Sequence, residues 1–330
     1  MSKKLYFILL IAAACLTCPG GLSAHNLAAP ADVKNMHILY VSHLFMPLES
    51  VSPLPRGSKS FSAAFINSNT NYMFLKDGLP GNFDVETASL ITGCSYALTD
   101  SIELRAMLPY YYNSGGFMDG IIEGFHKALP FSVRNGGREY VDDDEIHIWY
   151  RREQGGPDIN SSFYGFGDPS FFVKKSTRGN GYGFAGSLGI KPRVGTVSFI
   201  NSGTTDLGLS VTAFYKAWIF DLYAMTGFTY FDRSGFYAKE LEQQRDWMVL
   251  FAPGAGLRLS DSLYAVVQFY CNSSPYNTGV KRIDTFTVIN TFALRWRAME
   301  GMVMQFSFDE DSFTYASADI TLSIRCSYLF

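Results

Sequence analysis

The chain has 330 residues, 47% of them hydrophobic and 16% aromatic, and a formal charge of −3. That excludes intrinsic disorder, which needs low hydrophobicity and high net charge, and the faint negative charge argues against nucleic acid as a partner. Twenty-eight Phe and 20 Tyr lean toward a membrane barrel with aromatic girdles.

In chain order, Lys3 and Lys4 precede an apolar stretch from Leu5 to Leu16 and small residues ending at Ala24. This is the order of a secretory signal peptide, so residues 1–24 are expected to leave by cleavage after Ala24. Lipid attachment at Cys15 is a second reading of the same stretch. Residues 25–57 are expected to form an N-terminal periplasmic segment. Cys94, Cys271 and Cys326 then remain, too widely spaced for a disulfide framework or a metal cluster. No cofactor is expected.

From 58 onward no apolar run is long enough for a membrane helix, and period-2 alternation takes over. Ile320, Leu322, Ile324, Cys326, Tyr328 and Phe330 share one face of the last segment, opposite Thr321, Ser323, Arg325 and Ser327. Such a strand puts lipid on one side and a lumen on the other. The pattern predicts twelve strands, at about 58–66, 84–98, 101–112, 166–177, 181–192, 205–218, 219–231, 246–259, 262–271, 284–297, 302–309 and 317–330. Short and long connections alternate between them. The expected fold is therefore an all-β, antiparallel outer-membrane barrel over 58–330, with both ends periplasmic. Its location would be the outer membrane of a Gram-negative bacterium, among lipids and lipopolysaccharide. The terminal Phe330 is what the barrel assembly machinery would recognise.

The connection at 113–165 is the exception, a long extracellular loop. Residues 117–129 have helical periodicity, with Phe117, Ile121, Phe125 and Leu129 as an apolar stripe and Asp119, Glu123 and His126 as neighbours on another face. The stripe predicts a helix folded into the barrel mouth as a constriction or gate. Glu145–Arg151 reads as a strand extension above the membrane.

Four stretches resemble a bacterial family of outer-membrane barrels, domain of unknown function 3187. They are Gly115-Gly116-Phe117-Met118-Asp119-Gly120-Ile121-Ile122-Glu123-Gly124-Phe125-His126, then Pro53-Leu54-Pro55-Arg56-Gly57 with Asn67-Ser68-Asn69, Gly165-Phe166-Gly167-Asp168-Pro169-Ser170, and the closing Phe308-Asp309-Glu310-Asp311 with Ala318-Asp319-Ile320-Thr321. The resemblance implies location and fold and brings no activity with it.

Chemistry has few candidates. Asp119, Glu123 and His126 could orient an imidazole as general base or hold two metal positions, short of a full ligand set. The bland reading makes them anchors of the helix. Asp142-Asp143-Asp144-Glu145 could meet calcium, without the glycine turn of an EF-hand. Parity points Arg105, Lys174, Lys191, Lys216, Arg258, Arg295, Arg297 and Arg325 into the lumen, against the acids Glu103, Asp168, Asp206, Asp221, Asp309 and Asp319. Bases outnumber acids, which favours anionic permeants. The function expected is a narrow, porin-like channel or facilitated transporter for a small solute. An outer-membrane enzyme acting on lipid or lipopolysaccharide through His126, and a sealed structural or surface-interaction barrel, are the other readings.

Overall fold

The computed structural model of the chain describes residues 27–76, 79–128, 145–150, 158–195, 198–232, 244–311 and 317–330. Twelve strands close into one antiparallel barrel. They are β1 (Lys59–Lys76), β2 (Leu79–Ala97), β3 (Ile102–Ser114), β7 (Ser170–Arg178), β8 (Tyr182–Lys191), β9 (Asp206–Ala217), β10 (Phe220–Phe231), β11 (Trp247–Arg258), β12 (Leu263–Asn272), β13 (Thr287–Met299), β14 (Met302–Glu310) and β15 (Ile320–Leu329). Pairing of β1 with β15, Phe65 opposite Ile324, closes the ring. Three short strands extend the wall at its loop end: β4 (His147–Tyr150) on β2, β5 (Asp158–Ile159) on β4, and β6 (Phe163–Phe166) on β3. Two helices complete the described chain, α1 (Asp119–Ala128) and α2 (Lys281–Asp284). No described helix is long and apolar enough to cross a membrane.

The outer wall follows from the alternation. Val173, Leu188, Leu209, Val211, Val267, Leu294 and Ile324 are exposed in a middle band. Tyr96, Tyr182, Tyr215, Trp218, Trp296 and Phe330 ring the end that carries the barrel termini, and Tyr112, Tyr164, Phe166, Tyr230 and Trp247 ring the loop end. An apolar band between two aromatic girdles is what a barrel presents to a bilayer.

Three expectations change. The connection expected between the first two predicted strands is instead the top of a long hairpin, because β1 and β2 pair from Lys59–Tyr96 up to Lys76–Leu79. Asn67-Ser68-Asn69-Thr70-Asn71 looks like a loop by composition, yet its backbone is satisfied by the ladder.

The second change concerns α1, which lies on the outer wall and not in the mouth. Phe65, Asn67 and Asn69 share the outward face of β1, and Asn69 Nδ2 donates to Asp119 Oδ1 at 3.1 Å. Glu86, opposite Asn69 on β2, caps the helix by accepting from the Phe117 and Met118 amides, which satisfies donors that a helix start leaves open. Met118 and Ile122 pack on Ile320 and Phe308 of β15 and β14. The expected stripe is thus turned away from the wall, leaving Phe117 and Ile121 exposed. Phe125 and Leu129 lie outside the described side chains.

The third change is the largest. The segment expected to hang in the periplasm is inside the barrel. Nearly every residue from Leu27 to Val51 is buried, including Leu27, Met36, Ile38, Leu39, Tyr40, Leu44 and Met46. A segment this apolar would be costly to leave in water, and twelve strands enclose a lumen wider than their own side chains fill.

The lumen and its candidate functional site

The inner segment enters at the terminal end, climbs to the loop end, turns over residues 37–43 and returns to start β1. Its ascending leg is held by a reciprocal pair, with Ala31 N donating to Gln268 Oε1 and Gln268 Nε2 donating to Ala31 O, both at 3.2 Å. Its tip meets the top of the lumen. Tyr276 donates its hydroxyl to Leu39 O, Tyr40 donates to Ile283 O, and Phe83 and Phe231 face the His37 and His43 rings. On the descending leg Leu44 N donates to Asp206 Oδ2 at 2.9 Å. Met46 fits a recess made by two glycines paired in register, Gly189 and Gly208; a Cβ on Gly208 would stand 2.3 Å from the Met46 sulfur.

Lys34, His37 and His43 of the inner segment are pushed toward neutrality. Burial lowers His37 to about 3 and His43 well below 6.5, where the nearby Lys191 and Lys34 push the same way. Burial, helped by Lys191 and opposed by Asp206, brings Lys34 down to about 7. Lys34 Nζ donates to Val41 O at 2.7 Å and to the Tyr111 hydroxyl at 3.1 Å, tying the ascending leg to the turn and to β3 of the wall.

The eight bases predicted to point inward separate into three groups. Lys191 is buried at the loop end between Asp168 and Asp206, 3.4 Å from each. Lys216 and Arg258 are exposed at the rim of the terminal end, each at the end of its strand, and Arg258 borders the mouth of the cavity that the remaining five share. The other five meet in a vestibule open to the terminal end, a cavity of about 480 Å³. On one side of it Lys174 and Arg105 are neutralised by Glu103, at 2.7 and 3.5 Å, and by Glu49 of the descending leg, at 3.6 and 3.3 Å. On the other side Arg295, Arg297 and Arg325 face a single acid, Asp32 of the ascending leg, 2.7 Å from Arg325. Sequence reasoning missed Asp32, Glu49, Lys34 and His43 because it placed their segment elsewhere. An apolar recess of about 1010 Å³ lies over Leu104, Phe171, Leu188 and Leu209. These residues face outward, so the recess is a concavity of the lipid-facing wall.

The loop candidates do not assemble. Asp119 is buried under α1 against Asn69. Glu123 and His126 belong to α1, with side chains outside what is described. His147 Nε2 lies 3.2 Å from Asp158 in the β4–β5 extension. Among the described residues no three His, Cys, Asp or Glu cluster as metal ligands. Residues 1–24, with Cys15, and Asp142-Asp143-Asp144 lie outside the described residues.

Residues 9–330 match a family described as "Protein of unknown function (DUF3187)". The chain belongs to that family. No curated protein matches it. Among solved structures it is similar to the COG4313 outer membrane channel from Pseudomonas putida F1, at 9% identity over 85% of this chain and 98% of that one, with a TM-score of 0.54. Looser likenesses, at TM-scores of 0.44 and 0.41, are to the KdgM porin (4% identity, 82% of this chain and 99% of that one) and the Ralstonia pickettii toluene transporter TbuX (8%, 84% and 90%). The first shares the fold; the other two are too distant to carry an argument.

Proposed function

We propose that this protein is an outer-membrane channel or facilitated transporter for small anionic solutes, closed in the conformation described by its own residues 27–57 acting as a plug. One observation carries the reading. The lumen is filled by a separate segment, bound to a charged wall through ion pairs and hydrogen bonds, and not by side chains of the wall itself. Polar contacts of that kind exchange with water at modest net cost, so the filler can move while the strands stay paired. The excess of bases over acids in the vestibule supports an anionic permeant, since a pore favours ions opposite in sign to its lining. In this reading the termini face the periplasm and α1 lies at the cell-surface interface, where it constricts nothing.

The test is planar-bilayer conductance of the refolded mature chain beside a chain that begins at Ser52. The intact chain should open rarely, and the shortened one should give steady, anion-preferring steps. Silence from both, with barrels that keep their heat-modifiable gel mobility, would leave a sealed structural barrel.

A further inference from the structure

The arginines of the vestibule are unequally provided for. Arg295, Gln305 and Arg325 stand in register across β13, β14 and β15. Arg295 donates to the Ala29 carbonyl at 2.9 Å, and Arg325 holds Asp32. Yet Arg295 Nε, Arg297 Nε and Gln305 Nε2 are buried with no hydrogen-bond partner, and no described carboxylate lies within ion-pair distance of Arg297. Buried donors are rarely left unmade, and planar guanidinium groups suit the two oxygens of a carboxylate. The rest of the cavity wall is mixed, with Leu27, Leu48 and Leu329 beside Ser60, Ser62 and Ser327. Asp32 and Arg325 are each partly open to it, at 21 and 15% side-chain exposure.

We propose that Arg295, Arg297 and Arg325 form a binding site for the carboxylate of a small organic acid, and that Asp32 is a tethered stand-in for that carboxylate. A solute arriving from the terminal end offers both of its oxygens to donors that Asp32 leaves unmet. It displaces Asp32, and with it the ascending leg loses its ion pair to the wall. The inference rests on the channel reading above and adds the chemical class of the solute and the contact through which it loosens the plug.

An internal competitor lowers apparent affinity by the fraction of time it holds the site. Calorimetric titration of the full mature chain in detergent with hexanoate should therefore show Asp32→Asn binding about tenfold tighter than wild type. Asp32→Glu, which keeps a tethered carboxylate, should stay near wild type. Arg325→Gln should lose most of the affinity. Arg297→Gln removes an arginine that holds no plug group, so it should weaken hexanoate without loosening the plug. Hexanamide, the neutral analogue, should not bind.

Glu103→Gln removes the same charge from the same cavity without freeing Arg325. Equal tightening in Glu103→Gln and Asp32→Asn would reduce the effect to the general field and overturn the proposal. Binding of inorganic phosphate as tight as that of hexanoate would overturn the carboxylate assignment. Failure on these titrations, while the chain beginning at Ser52 still conducts, would sink this site and leave the channel standing.

Discussion

Glu49→Gln isolates the hold of the descending leg on the wall. The Glu49 side chain is 1% exposed and lies 3.3 Å from Arg105 and 3.6 Å from Lys174, without hydrogen-bond geometry to either. Removing one member of a buried ion pair costs about 3–5 kcal/mol, chiefly through the charge left behind. Here Glu103 remains, 2.7 Å from Lys174 and 3.5 Å from Arg105, and keeps both cations partly paired. Arg105 is also 24% exposed, so solvent screens part of the loss. About 2 kcal/mol is then the share specific to the plug, and every 1.4 kcal/mol is about tenfold in an equilibrium. The ratio of closed to open channels should fall about 30-fold. The assay is single-channel open probability at fixed voltage, with thermal unfolding of the barrel as control. An open probability within threefold of wild type, in a protein whose shortened chain conducts, would show that the leg is not held by charge.

Acidification acts on the tip. His37 and His43 are held neutral in the closed plug and return to about 6.5 once wetted. Their contribution to closure is therefore present above pH 6.5 and lost as pH falls through it. At pH 5 each His favours release by about 2 kcal/mol, so openings as large as those of the shortened chain should become more frequent from pH 7 to 5. His43→Gln should remove about half of that dependence on a logarithmic scale, and an unchanged slope would acquit His43. Gly208→Val places carbon where Met46 sits and should raise opening, and Met46→Ala in the same chain should restore closure. No restoration would mean that the valine strains the barrel and not the plug. Phe117→Trp, on the free face of α1, should be quenched by acyl-brominated phospholipid. An unquenched indole would place the helix off the membrane.

The strands were legible in the sequence because lipid outside and charge inside impose period 2. Ten of the twelve predicted spans match to within about four residues at each end; the exceptions are the end of β1 and the start of β2, the two sides of the first hairpin. The first hairpin was not legible, since Asn67 and Asn69 are outward-facing residues that a lipid-facing strand should not carry. They are tolerated because α1 covers them, a tertiary fact that no local pattern contains. The helix itself was legible in place and misjudged in rotation: Phe117 and Ile121 fit a buried stripe as well as Met118 and Ile122 do, and it is the long-range Glu86 cap and the Asn69–Asp119 hydrogen bond that turn Met118 and Ile122 inward. The inner segment had no periodicity to read, because it forms neither helix nor strand from Leu27 to Arg56. Its sign was composition alone, with Met36, Ile38, Leu39, Tyr40 and Val41 in six positions supposed to lie in water.

That composition also limits how the proposed channel can open. Met36, Ile38, Leu39, Tyr40, Leu44, Phe45 and Met46 are each at most 8% exposed around the tip. Expelling them into water would cost about 1.5–3 kcal/mol apiece, on the order of 10–20 kcal/mol together. Loss of the Glu49 contact supplies about a tenth to a fifth of that, and one protonated histidine no more. The legs, fixed by ion pairs at Asp32 and Glu49, can therefore swing while the apolar tip stays seated among Phe83, Phe231 and Tyr276. Openings of the Glu49→Gln chain should then be smaller steps than those of the chain beginning at Ser52, where the tip is gone. Equal step sizes would mean that the whole segment leaves the lumen at once, and that the apolar tip is not its hinge.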